Sequence, residues 1–155
     1  MKSNEHLHAA EQFLHEQIPL TRAMGVRVVA DAEHGFAIEA PVALNYNHLR
    51  TAFGGSINAV ATLAGYAFLW LELRDAAAHV VIRESSIRFL RPVRETIRAV
   101  CAPPPQEELE RFRVAFAESG KARLQLHVRV VESGAVGAEL HGSFVALRPD
   151  PSRLQ

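Results

Sequence analysis

From Ala52 to Leu71 the chain carries no charged residue, and after Gly54-Gly55-Ser56 it is almost wholly apolar up to Trp70-Leu71. Twenty residues at helical rise span about 30 Å, enough to cross a bilayer. Such a run is either a membrane helix or a helix wrapped on nearly every side by its own domain. Its residues favour the second. Ser56, Asn58 and Thr62 would be costly facing lipid. Ala59, Ala61, Ala64, Gly65 and Ala67 are small enough for neighbouring backbone to close in. Glycine is poor inside a helix but suits a start where backbone must approach something closely, so Gly54 and Gly55 mark the N-terminus. No membrane span is expected.

A buried helix needs a wrapping. Leu7, Ala10, Phe13 and Leu14 recur at helical spacing, which predicts an amphipathic helix over about 4–17, ended by Ile18-Pro19. A further turn is expected over 21–24. Residues 25–32 and 36–40 read as strands of a hairpin joined through Glu33-His34-Gly35. After the central helix, 79–90 reads as a strand of broken parity. Val81, Ile87 and Phe89 share one phase and Val80 and Ile82 the other, and Glu84-Ser85-Ser86 lies between them, which predicts a bulge or a functional patch. Residues 95–102 form the next strand. The Pro103-Pro104-Pro105 turn then leads to a short helix over 106–119 that Gly120 closes. Strict alternation over 121–132, and again over 138–147, predicts a final hairpin with one wet and one dry face. A single antiparallel sheet of about six strands around one apolar helix satisfies all of this. The expected class is α+β, in one domain over 1–155 with a loose tail from Pro149.

The chain has 155 residues, enough for one domain to bury roughly two-thirds of its unfolded surface. Its formal net charge of zero leaves no electrostatic footprint for nucleic acid or an acidic membrane. Cys101 is the single cysteine, so no internal disulfide can form and a reducing compartment fits. The polar opening stretch lacks the apolar core of a signal peptide. A cytoplasmic protein is expected. His6, His8 and His15 have no cysteine or acid cluster to complete a metal set. There is no phosphate loop, nucleophile elbow or dinucleotide fingerprint, so neither metal nor cofactor is expected. Cys101, within an apolar strand, reads as a core residue.

The stretch Asn47-His48-Leu49-Arg50-Thr51-Ala52-Phe53-Gly54-Gly55-Ser56, followed by Leu63-Ala64-Gly65-Tyr66, resembles the thioesterase domain found at the C-terminus of bacterial YiiD-type acetyltransferases. Ser85-Ser86-Ile87-Arg88-Phe89-Leu90-Arg91-Pro92-Val93 is similar to the strand after the helix in hotdog-fold proteins. The resemblance covers about 18–148. It implies a hotdog fold, a curved sheet wrapped round a long central helix. It also implies an acyl-CoA or acyl-carrier-protein thioester as substrate, and a homo-oligomer, either a dimer or a dimer of dimers.

Thioester hydrolysis needs donors for the carbonyl oxygen, a means to aim water, and room for an acyl chain. A helix N-terminus offers free N–H groups and a positive dipole end, so Gly54 or Gly55 is the natural oxyanion donor. At about 100° per residue, Gly55, Asn58 and Thr62 fall in one stripe. Those polar side chains bond either to a ligand or to the helix's own groups and a neighbouring subunit. Phenylacetate-type hotdog thioesterases carry His-Gly-Gly at the helix start, an Asn six positions before that His and an acid nine after it. Here Asn47 and Gly54 match, while Phe53 stands for the His and Thr62 for the acid. His48, Glu84 and Ser85 are the candidates to compensate, and His48 is of a type that can act as a base. Thr51, Phe53, Ser56, Asn58 and Arg91 are the candidate substrate-binding residues. Three readings follow: a thioesterase, an acyl-thioester binding module without catalysis, and an oligomerisation domain.

Overall fold

The structure, a computed structural model, describes residues 3–150 and 152. The chain forms α1 (Asn4–Gln17), α2 (Leu20–Ala23), β1 (Arg27–Asp31), β2 (Gly35–Pro41), a 3-10 turn (Val42–Leu44), α3 (Gly54–Leu73), β3 (His79–Phe89), β4 (Thr96–Ala102), α4 (Gln106–Ser119), β5 (Lys121–Glu132) and β6 (Ala135–Leu147). The strands make one open antiparallel sheet in the order β1-β2-β4-β5-β6-β3. The expected α+β class and its central helix are both present. Residues 151 and 153–155 of the tail expected to be loose lie outside the described residues.

The apolar run is α3, and it is held inside the domain. Ile57, Val60, Ala61, Ala64, Ala67, Phe68 and Leu69 are all buried. Each large apolar side chain of this kind adds about 2 kcal/mol by leaving water. Gly65 is where helix and sheet come closest: a Cβ there would lie 2.4 Å from the ring of Phe144, which is itself fully buried. On the same face of the sheet α4 buries Leu109, Phe112 and Phe116. Arg113 of α4 is paired to Glu72 of α3 at 2.7 Å.

A bulge explains the broken parity of β3. The register with β6 shifts between Ile82 and Glu84. Before it, Val80 and Ile82 pair with Ala146 and Phe144 and face α3; after it, Ser85, Ile87 and Phe89 pair with Gly142, Leu140 and Ala138 on that same face. One extra residue, Arg83, thus returns the later half of the strand to the core phase. It also sends Glu84, Ser86 and Arg88 to the far face of the sheet.

The two sheet edges differ. Along β1, Glu11 of α1 accepts the Val28 N–H at 2.8 Å, and the His15 imidazole donates to the Val26 carbonyl at 2.8 Å. That edge is covered. Among the described residues, nothing bonds to the outer edge of the eleven-residue β3. Val81 and Phe89 on that strand, and Leu90 just after it, are each about half exposed.

The β1–β2 turn carries an acid-sensitive tie. Burial works to raise the Asp31 pKa, but the N–H groups of His34 and Glu33 and the side chains of Arg98 and His34 outweigh it and hold the carboxyl at about 2. A folded value below the unfolded 3.8 means stability is present above pH 3.8 and lost as pH falls toward 2. Asp31→Asn is therefore expected to lower the melting temperature at neutral pH and to flatten its fall between those two values. An unchanged acid profile in the variant would contradict this.

Candidate functional site at the entrance of the central helix

The loop into α3 is built by side chains that bond its own backbone. Asn45 is buried, and its amide donates to the carbonyls of Met24 (2.9 Å) and Pro41 (2.8 Å), while its own carbonyl accepts from Phe53 N–H. Asn47 accepts the Leu49 N–H at 2.9 Å and donates through its amide to Thr51 Oγ1 at 3.1 Å. The Asn47 backbone closes the turn by donating to the Thr51 carbonyl at 2.8 Å. Arg50 then takes a positive φ of 63°, and its guanidinium lies 4.4 Å over the Tyr46 ring. From the other side, Glu132 accepts the N–H groups of Arg94, Glu95 and Thr96, and the Val93 carbonyl accepts the Ala52 N–H. Two separate parts of the chain thus fix where α3 begins.

That beginning has free donors. Phe53 takes the N-cap position in extended conformation, and no side chain caps the helix. Ile57 N–H is the first to find an intrahelical partner, the Phe53 carbonyl. Among the described residues, none accepts from the N–H groups of Gly54, Gly55 and Ser56, which lie at the positive end of a twenty-residue helix. Phe53 and Phe89 flank them: a Cβ on Gly55 would lie 2.4 Å from the Phe53 ring, and one on Gly54 would lie 3.5 Å from Phe89.

An open groove of about 480 Å³ starts at Gly55 and runs down α3. Gly55, Asn58, Ala59, Thr62, Leu63 and Tyr66 form one wall; Ile82 and Ser85 of β3 form another; Ile18, Leu20, Thr21 and Met24, from the corner between α1 and β1, form the third. Thr62 Oγ1 donates to Asn58 Oδ1 at 3.4 Å, which directs the Asn58 carbonyl oxygen along the helix and leaves its NH2 as donor. Thr21 Oγ1 lies 2.8 Å from the Ile18 carbonyl and so pins the corner. Ser85, Thr21 and Tyr66 add further polar groups, and the rest of the wall is apolar.

Of the residues expected from sequence, Gly55, Asn58, Thr62 and Ser85 meet in this groove, and Gly54 and Ser56 are the helix neighbours of Gly55. Phe53 is exposed beside them. Asn47 and Thr51 bond to each other and shape the turn. His48 is exposed on that turn, and Arg91 is exposed in the loop after β3. Glu84 pairs with Ser143 on the far face, one residue from Ser85. Sequence reasoning missed Tyr66 and Met24 on the groove wall, and Asn45 and Glu132, which hold the segments beside the start of α3. Tyr66 had a signal: it continues the Gly55, Asn58, Thr62 stripe by four residues. Burial pushes the Cys101 thiol up to about 12, so it is a core residue far from thiolate chemistry. His127 and His141 stack 4.3 Å apart on the sheet face away from α3.

A larger hollow, about 780 Å³, lies at the opposite end of α3 beside Trp70, Arg74 and Arg113. Its charged groups bond to one another or nearby, Arg113 to Glu72 and Asp75 to Arg148. It also sits at the negative end of the helix dipole, which repels a developing oxyanion.

An antiparallel sheet packed on one long apolar helix, with a groove at the helix entrance, defines a hotdog-fold domain. The family described as "Putative thioesterase (yiiD_Cterm)" matches residues 7–148, and the chain belongs to it. Solved structures agree. A protein of unknown function from Chlorobaculum tepidum is 27% identical with a TM-score of 0.83, over 92% of this chain and 94% of that one. A "putative thioesterase" from Shewanella oneidensis is 27% identical with a TM-score of 0.80, over 94% and 99%. A "Probable Thioesterase" from Pseudomonas aeruginosa is 26% identical with a TM-score of 0.75, over 92% and 95%.

Proposed function

We propose that the protein hydrolyses an acyl-CoA or acyl-carrier-protein thioester as a cytoplasmic homo-oligomer. The observation that carries this reading is the uncapped N-terminus of α3 opening onto a mostly apolar groove. In the proposed mechanism the thioester carbonyl accepts from Gly54 and Gly55 N–H, which stabilise the oxyanion as water adds. The acyl chain lies along α3, and the thiol departs toward the mouth. Asn58, ordered by Thr62, and Ser85 orient the water.

Among the described residues that line the groove there is no carboxylate and no imidazole. The base is then proposed to be His48, six residues before Gly54; Glu84 lies on the sheet face away from α3 and is not part of it. Incubation with a panel of acyl-CoAs and colorimetric detection of free thiol tests the reading. Release of thiol, reduced in His48→Ala, is the expected result. The missing carboxylate favours a second reading, a binding module that holds acyl thioesters without cleaving them. In that case acyl-CoA raises the melting temperature while no thiol appears.

The open edge of β3 supports assembly. A long unpaired strand bearing Val81 and Phe89 is a template for its own twin, whereas β1 is already covered. Light scattering at micromolar concentration is expected to give a dimer or a multiple of it. A monomeric mass would contradict the assembly.

A further inference from the structure

The groove changes character along its length. Its mouth is polar, with Gly55, Asn58 and Ser85; its middle is mostly apolar, with Ala59, Leu63 and Ile82 beside Thr62, whose hydroxyl is bonded to Asn58; and Tyr66 then returns a polar group further along. Gly55 and Tyr66 are eleven residues apart on one helix, which at helical rise is roughly 16 Å. At about 100° per residue the two lie within about 20° of each other around the axis, so both belong to the same stripe. Tyr66 is half-buried, and its ring stacks on Phe13 of α1 with centroids 6.3 Å apart, which fixes its direction. Among the described residues, none hydrogen-bonds its hydroxyl. Burial raises its pKa, so the phenol stays protonated and can both donate and accept.

A half-buried phenol with no protein partner among the described residues, on the wall of a mostly apolar groove, is open to a ligand atom and depends on one once an acyl chain excludes water. We propose that Tyr66 is the specificity-determining residue of this groove: it limits acyl-chain length and selects acyl groups bearing a hydroxyl or oxo group near their far end. The proposal rests on the thioesterase reading above. In it, a plain alkyl chain that reaches Tyr66 covers the phenol and leaves it unbonded, whereas a chain-end hydroxyl restores the bond. Discrimination by one neutral hydrogen bond is on the order of tenfold. Shortening the side chain would lengthen the channel.

The test measures kcat/KM for short, medium and long straight-chain acyl-CoAs and for their terminally hydroxylated counterparts, with the full chain, Tyr66→Phe and Tyr66→Ala. Wild type is expected to prefer the hydroxylated chain at its optimal length. In Tyr66→Phe the ratio of hydroxylated to plain substrate should fall about tenfold, and in Tyr66→Ala the optimum should move to longer chains. Tyr66→Phe keeps the ring on Phe13, so loss of fold is not at issue there. Circular dichroism checks Tyr66→Ala. An unchanged ratio in Tyr66→Phe overturns the selection for a polar chain end, and an unchanged optimum in folded Tyr66→Ala overturns the length limit. Both leave thioester hydrolysis standing. If wild type cleaves no acyl-CoA, the same length and hydroxyl profile is read from melting-temperature shifts, and a flat profile there overturns the proposal. No binding of any acyl-CoA, followed by none of the matching acyl-carrier-protein thioesters, overturns the thioester reading as well.

Discussion

Gly55→Val is expected to fold and to lose about 10²-fold or more in kcat/KM for an acyl thioester. The reason is geometric. Gly55 sits in the first turn of α3 and lines the groove where the carbonyl is proposed to dock. A branched side chain fills that position and meets the Phe53 ring, where even a Cβ comes to 2.4 Å. Phe53 is more than half exposed at 55%, so its ring can swing toward solvent and the helix can still form. What cannot recover is the close approach of a carbonyl oxygen to the N–H groups, and losing one oxyanion donor costs about 10²–10³ in rate. Gly54→Ala is the informative companion. Its Cβ would make only ordinary contact with Phe89 at 3.5 Å, so a milder loss is expected. Equal kinetics for wild type and a folded Gly55→Val would remove the helix entrance as the site.

Gly65→Val should have the largest effect on stability, about 3 kcal/mol or more. Its Cβ would fall 2.4 Å from Phe144, which is fully buried between helix and sheet. Phe144 has no solvent to swing into, unlike Phe53 over Gly55. Its neighbours Gly142 and Leu140 on β6 already crowd the same layer. Helix and sheet would have to separate, and the loss would spread to every residue of α3 packed beneath. Urea unfolding monitored through Trp70 measures it. A midpoint within error of wild type would show that α3 does not lie as close to β6 as described.

The two glycines show what was legible in the chain and what was not. The run from Ala52 to Leu71 could only be a wrapped helix or a membrane span, and its small residues pointed to the first. Alternation in β5 gave that strand and its wet face almost residue for residue, whereas β6 begins at Ala135 rather than 138 and Ser143 of its expected wet face is buried. β3 is the instructive case. Its mixed phase was visible, but which face Glu84 takes depends on the bulge at Arg83, a matter of pairing with β6 that no local pattern encodes. Glu84 and Ser85 therefore looked equivalent in sequence and lie on opposite faces. Asn47 likewise looked like a site residue, whereas its side chain bonds the turn it belongs to. The third groove wall, from Ile18 to Met24, comes from a corner folded back over α3, and contacts of that range leave no signature in spacing. The stripe of Gly55, Asn58 and Thr62 was legible because one helix holds it.

In the proposed mechanism a thioester carbonyl docks on the first N–H groups of α3. The most direct measurement titrates the protein with a non-hydrolysable acyl-CoA ketone, in which a methylene replaces the sulfur and the carbonyl is kept, and follows backbone amide shifts by NMR. The largest shifts are expected at Gly54, Gly55 and Ser56, with smaller ones at Asn58 and Thr62. Shifts centred instead on Trp70, Arg74 and Arg113 at the other end of the helix, or no shift at the glycine amides with ligand bound, would contradict it.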